Sequence, residues 1–284
     1  MEKCKRVGLI MLIAAMAGML LMGCSTKKND TVKDADAKQE MPAKEEKEDQ
    51  TDEKEAVTIL VAAAASLEHS YKEELIPMFE REHPHISVEG TYDSSGKLQT
   101  QIEEGLDADV FMSAATKQMN ALVDESMVDK DSVIDLLKNK IVLITSVDSA
   151  LDLKEFTDIT KADTIAIGDP ESVPAGQYSK EALENLGLWE DVLEKASMGT
   201  NVTEVLNWVA EGSAEAGIVY ATDAAATDKV KVIAQAPEGS LLEDAVYPVG
   251  VISGSSRKEA ARLFVDFLQS EEATAVFEKY GFEK

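Results

Sequence analysis

The chain has 284 residues, enough for one large or two medium domains with real cores, and a formal net charge of −26 with 54 acidic against 28 basic residues. That balance excludes nucleic acid as a natural partner, because phosphate recognition draws on Lys and Arg. It also repels small anions at long range, so any anion site has to be made locally from N–H and O–H dipoles.

In chain order, the first segment carries Lys3, Lys5 and Arg6 ahead of an apolar run from Val7 to Met22 that ends in Gly23-Cys24. A basic start and an apolar stretch of this length read as a secretory signal; a signal anchor is the alternative, though the run is short for a ~20-residue span. The ending resembles the lipobox of bacterial lipoproteins, which implies cleavage after residue 23 and lipidation of Cys24. Only Cys4 and Cys24 exist, so the processed chain has no pair for an internal disulfide. Residues 24–56 hold almost nothing large and apolar and are expected to be a disordered tether.

From Val57 onward, strand-like runs alternate with amphipathic helices. Strands are expected at Val57–Val61, Ile86–Tyr92, Ala108–Ser113, Ile141–Thr145, Thr164–Gly168, Ala216–Tyr220, Val230–Gln235 and Tyr247–Ser253. The first helix should be capped by Ser66 and be kinked or shortened by Pro77. Later helices are expected near Lys97–Glu104, Thr116–Asp124, Tyr178–Leu186, Thr203–Glu211, Ser256–Gln269 and Glu271–Tyr280. Such alternation predicts an α/β fold with mainly parallel sheets.

Ligands of open α/β sheets bind where strands end and helices begin. Ala62-Ala-Ala-Ala-Ser66, Asp93-Ser-Ser-Gly-Lys97 and Gly168-Asp-Pro-Glu-Ser-Val-Pro-Ala-Gly176 are such junctions, as are Tyr220 ahead of Thr222-Asp223 and Asn201-Val-Thr203. Each serine alone is more often only a cap. Together they offer many donors and, Lys97 apart, no cation; Lys97 is read as facing solvent. An uncharged, all-donor lining suits a fully deprotonated oxyanion, whereas monohydrogen phosphate would call for an acceptor.

At these same junctions the chain resembles the molybdate-binding proteins of ABC importers, within the type II periplasmic binding proteins. The matching strings are Ala63-Ala-Ala-Ser-Leu67, Ser94-Ser95 with Gln101-Ile-Glu-Glu-Gly105, and Ala108-Asp-Val-Phe-Met-Ser-Ala114. They continue with the Gly168–Gly176 string, Tyr178-Ser-Lys-Glu-Ala-Leu183, Gly217-Ile-Val-Tyr220 with Asp223-Ala224, and Lys279-Tyr-Gly-Phe282. The resemblance implies a two-lobe α/β fold with the ligand cleft between the lobes. Lobe 1 would be residues 57–138 plus 247–284 and lobe 2 residues 139–246, with crossings near Asn139–Ile141 and Glu243–Tyr247. It implies that Ser66 and Ser95 donate through hydroxyl and backbone N–H, Ala175 and Val202 through backbone N–H, and Tyr220 through its phenol. The ligand, molybdate or tungstate, would be held only as an oxyanion, with no cofactor, by a membrane-anchored extracytoplasmic monomer serving an importer permease. Gly96, where another small hydroxyl residue is expected, and Pro77 depart from the pattern. A sulfate-type binding protein, a secreted hydrolase and an adhesin are the rival readings, and no Ser-His-Asp set, P-loop or Cys/His metal spacing supports an enzyme.

Overall fold

The computed structural model describes residues 55–284. The expected signal segment, Cys24 and all but the last two residues of the tether lie outside the described residues. Among the described residues no helix is long and apolar enough to cross a membrane.

The chain opens on β1 (Val57–Ala64), whose Val, Ile and Leu side chains suit a buried strand. A short 3-10 turn (Ala65–Leu67) leads through α1 (Glu68–Ser70) and a wide turn over Tyr71–Leu75 into α2 (Ile76–Glu82). Two expectations are corrected here. Ser66 lies inside the 3-10 turn and does not cap it: the cap position is Ala64, with no side-chain bond. Pro77 neither breaks nor shortens the helical run. The Ile76 N–H reaches back five residues to Tyr71 O, and this π-type turn widens the helix just where the proline ring would meet a preceding carbonyl.

There follow β2 (Ile86–Asp93), α3 (Ser95–Glu103), β3 (Val110–Met112), α4 (Thr116–Asp124) and β4 (Ile134–Asn139). After Lys140 the chain enters a second sheet with β5 (Ile141–Ser146) and β6 (Ile165–Gly168). The second sheet continues through α5 (Pro174–Asn185), α6 (Trp189–Leu193), β7 (Ala196–Gly199) and α7 (Val202–Ala210). It ends with β8 (Ala216–Tyr220), α8 (Ala221–Ala225) and β9 (Val230–Gln235). The chain then returns to the first sheet as β10 (Ala245–Val251) and finishes with α9 (Lys258–Leu268) and α10 (Glu271–Lys279).

The result is two five-stranded sheets, ordered β2-β1-β3-β10-β4 and β7-β6-β8-β5-β9. The sheets are mixed, which corrects the expectation of mainly parallel pairing. β1 pairs in parallel with β2 and β3, and β6 with β7 and β8. The pairs β10–β3, β10–β4, β5–β8 and β5–β9 are antiparallel. The cause is the connection between sheets: β4 and β5 are joined through one residue, and the strand that returns runs against its new neighbours. β4 and β7 were missed in the sequence; both are partly exposed, with charged or polar residues breaking the apolar run.

Helices pack on the faces with apolar stripes of helical period. In α9, Ala261, Phe264, Val265 and Leu268 are all buried. The string around Asp109 proves to be scaffold. Its fully buried carboxylate accepts from Leu60 N (2.7 Å), Ser255 Oγ (2.6 Å) and Arg257 Nε (2.9 Å), tying β1, the start of β3 and the segment after β10 together. A buried carboxylate needs such a full set of donors.

Candidate functional site

Each sequence-predicted residue sits at the end of a strand or the start of a helix; contacts link Ser66, Ser95 and Tyr220, while Ala175 and Val202 lie next to segments bonded across the gap between the sheets through Ser172 and Asn201. Ser66 follows β1. Its Oγ lies 2.9 Å from the Tyr247 hydroxyl. The Tyr247 ring packs edge-on against Tyr220, with centroids 5.4 Å apart. Tyr220 in turn donates across the cleft to Ala114 O at 3.0 Å, and Ala114 N–H donates to Ser95 Oγ at 2.9 Å. Ser66, Ser95 and Tyr220 are thereby joined through two intermediates, Tyr247 and Ala114, neither of which was singled out in the sequence.

Ser95 is the first residue of α3 and is completely buried. Ser94, the cap, accepts from Lys97 N at 3.5 Å. Lys97 extends its ammonium to Asp93 Oδ1 (3.3 Å), and is half-buried where solvent exposure was expected. Gly96 explains its own departure from the family pattern. Its N–H donates to Ser172 O on the opposite sheet's side at 2.9 Å, and a Cβ here would lie 2.3 Å from that oxygen. A side chain is excluded by backbone meeting backbone across the cleft.

Ala175 and Val202 contribute through the starts of α5 and α7. First-turn N–H groups have no carbonyl partner within their own helix, and the helix dipole makes that end positive. Ala175 is the second residue of α5 after Pro174, which suits a position where no N–H is needed. The helix begins hard against β6: a Cβ on Gly176 would stand 2.1 Å from Gly168 O. Val202 opens α7 behind Asn201, whose side chain accepts from Glu204 N (2.9 Å). The same Asn201 donates across the cleft to Asp93 Oδ1 at 3.3 Å. Thus α5 is pinned to the α3 start through Ser172, and α7 through Asn201. A further amide pair, Gln118 Nε2 to Gln177 Oε1 at 3.2 Å, also bridges the cleft.

The electrostatics favour neutral donors. Burial, then the neighbouring Tyr247, pushes the Tyr220 phenol well above its usual range, and burial does the same to Tyr247. Burial also lifts Tyr178 to about 12. All three keep their protons at neutral pH. Asp223 is pushed up to about 7 by burial, against the opposing N–H of Tyr220 that it accepts at 3.1 Å. This carboxyl holds the turn that aims Tyr220. Asn139 completes the region missed in the sequence, donating to Thr222 Oγ1 (2.8 Å) and to Tyr247 OH (3.2 Å). The sequence placed a crossing at Asn139–Ile141, but Asn139's partners, Thr222 and Tyr247, lie 83 and 108 positions away and meet it only in the fold.

Two sheet-and-helix lobes joined by crossing strands, with helix starts and hydroxyls meeting between them, define a cleft-closing binding protein. The chain belongs to the bacterial extracellular solute-binding proteins, a family that matches residues 59–283. It is 36% identical over 273 residues, 96% of each chain, to the "Putative ABC transporter substrate-binding lipoprotein YvgL" of Bacillus subtilis. With the molybdate-binding protein ModA of Escherichia coli it shares 36% identity over 230 residues, covering 79% of this chain and 88% of the other. Among solved structures it is similar to the "substrate binding domain of putative molybdenum ABC transporter" from Clostridium difficile. That likeness has a TM-score of 0.63 and 38% identity, covering 81% of this chain and 99% of that one.

Proposed function

We propose that the cleft captures molybdate or tungstate and delivers it to the permease of an ABC importer, with Ser66, Ser95, Ala175, Val202 and Tyr220 as the donors. The observation that carries this reading is the set of cleft-spanning bonds. These bonds run from Tyr220 to Ala114, from Gly96 to Ser172, from Asn201 to Asp93 and from Gln118 to Gln177; they lie beside the proposed donors and use neutral groups except at Asp93, which supports the reading. A doubly charged, proton-free anion accepts from every oxygen, and each charge-assisted bond contributes about 1.5–3 kcal/mol. With Ser66 and Ser95 each giving a hydroxyl and an N–H, the five residues supply seven donors worth about 10–21 kcal/mol together, and nanomolar affinity, about 12 kcal/mol, is reached when association costs lie near the low end of about 4–15 kcal/mol. The molybdate-binding relative at 36% identity supports the choice of ion.

The lobes divide, on this reading, at Lys140 and just before Ala245, a residue or two from the expected 138/139 and 246/247, because β4 runs through Asn139 and β10 begins at Ala245; closure about those crossings traps the ion. The chain acts as a monomer without catalytic activity. Its lipid anchor is Cys24, a reading supported by the lipoprotein relative. Calorimetry tests the ion: the expected result is tight binding of molybdate and none of sulfate. Equal affinity for both, or binding of neither, overturns the assignment. Cys24→Ser tests the anchor and should release the protein from membranes; a variant that stays membrane-bound removes the lipid from the account.

A further inference from the structure

The amide pair that bridges the cleft is only half satisfied. Gln118 lies in the first turn of α4, just after Ala114 and Ala115, and Gln177 in the first turn of α5, just after Ala175 and Gly176. One hydrogen bond joins them, Gln118 Nε2 to Gln177 Oε1 at 3.2 Å. Gln118 is only 2% exposed. The two remaining amide atoms, Gln118 Oε1 and Gln177 Nε2, are buried with no hydrogen-bond partner in the protein. Among the described residues, the Tyr92 hydroxyl is the one other buried side-chain polar atom in that condition. Turning both amides over would not cure the mismatch. Gln177 would then donate to Gln118, and one NH2 and one carbonyl oxygen would again be left over. Two primary amides joined by a single bond always strand one donor group and one acceptor. Tyr220 and Asn201, which also bond across the cleft, leave no buried side-chain atom unpaired.

We propose that Gln118 and Gln177 work against closure and thereby set how readily the lobes part to release the ion. This rests on the reading of the cleft as one that closes on its ligand, and adds what limits the closed form. With the lobes apart, water reaches both amides. Closing strips that water away and returns one neutral bond, while two polar groups stay unpaired. An unpaired buried group costs more than a neutral bond gives back, so the pair counts against the closed form. Donors aimed at a dianion pull the other way. A carrier that must hand its ion on needs such a counterweight, because dissociation waits for the lobes to open. The placement suits the role: α5 carries the Ala175 donor and the turn before α4 holds Ser95 and Tyr220 through Ala114, so strain between the two glutamines acts directly on the donor set.

The test uses the full chain and molybdate, with calorimetry for affinity and stopped-flow fluorescence for rates. Wild type is compared with Gln118→Met, Gln177→Met and the double variant; methionine is unbranched and close to glutamine in size, so it fills the same space. Each single change loses the bond and still strands two atoms, both now on the surviving glutamine. Binding should weaken about two- to tenfold. The double change loses the bond but strands nothing. It should bind molybdate at least about tenfold more tightly than wild type, through slower dissociation at an unchanged association rate. Small-angle scattering of the ligand-free double variant should show a smaller radius of gyration than wild type. Were apolar burial alone responsible, one methionine would already tighten binding. Should the methionine pair not fold, Gln118→Leu with Gln177→Leu removes the same four atoms and carries the same expectation. A double variant that matches wild type means that water pairs the stranded atoms, and the proposal falls. Weaker binding by the double variant makes the pair a latch, and tightening by either single variant makes it a greasy contact; both outcomes overturn the counterweight. Wild-type protein that binds no molybdate removes the reading of the cleft itself, a failure seen before any variant is made.

Discussion

A hydroxyl can be donor or acceptor, and at Ser95 the neighbours decide which. Because Ala114 N–H already occupies its oxygen, Ser95→Ala removes a donor from the cleft and also strands a buried N–H. Tyr220→Phe removes the one phenolic O–H, which bonds to Ala114 O in this structure and has to turn from it to donate to the ion. Each change should weaken molybdate binding roughly 10- to 100-fold, equivalent to the loss of one charge-assisted bond, with circular dichroism unchanged. Asp223 gives a second prediction at this scale. The folded protein keeps its carboxyl protonated up to about pH 7, whereas the unfolded chain ionises near 3.8. Folding therefore takes up a proton in that window. The stability due to this group is complete at the acid end and is lost as pH rises through about 7. Asp223→Asn keeps an acceptor for Tyr220 N–H and cannot ionise. It should flatten the fall in melting temperature between pH 5 and 8, and an unchanged slope would show that Asp223 is ionised in the folded state.

At the scale of elements, the cleft is built from where helices start. The α3, α5 and α7 starts are aimed by the ends of β2, β6 and β7, and the contacts between lobes run through the residues just before those helices. Gly96 is the tightest point. A methyl group there would meet both the Ser172 carbonyl oxygen and its Cα at 2.8 Å or less. Gly96→Ala should hold the lobes apart, weakening molybdate binding about tenfold or more, as expected for an overpacking cost of about 1–3 kcal/mol. Neither lobe's core is touched, so thermal stability without ligand should barely change. Small-angle scattering with molybdate present should show the larger radius of an open form. Wild-type compaction in the variant would mean that the helix starts have slack.

The whole molecule works against its ligand at long range. A formal charge of −26 repels a dianion until it comes within reach of the local dipoles. Salt screens the repulsion, with a Debye length of about 10 Å at 0.1 M, while the closed cleft is shielded. The association rate for molybdate should therefore rise with ionic strength and the dissociation rate change little, as stopped-flow fluorescence would read. An association rate that falls with salt would mean that the cleft mouth presents a positive potential despite the overall balance.

Much of this organisation was legible in the linear chain. Hydrophobic period and helix-start chemistry place most strands and helices from Val57 on, and the junction strings carry Ser66, Ser95, Ala175, Val202 and Tyr220, because local backbone preference and side-chain burial leave a local pattern. Sheet direction did not follow, since antiparallel pairing at β10 and β5 depends on partners far away in sequence. Nor did the accommodation of Pro77, which needs the hydrogen-bond pattern of the preceding turn, or the need for glycine at residue 96, which is set by a carbonyl 76 positions away. The partners of each hydroxyl lay furthest from view. Ser66 meets the Tyr247 hydroxyl, and Tyr247 meets Asn139, only because strands near the crossings between lobes bring them together. Composition determines what kind of dipoles the chain owns; only the tertiary fold orients them, because hydrogen-bond direction is a property of neighbours in space.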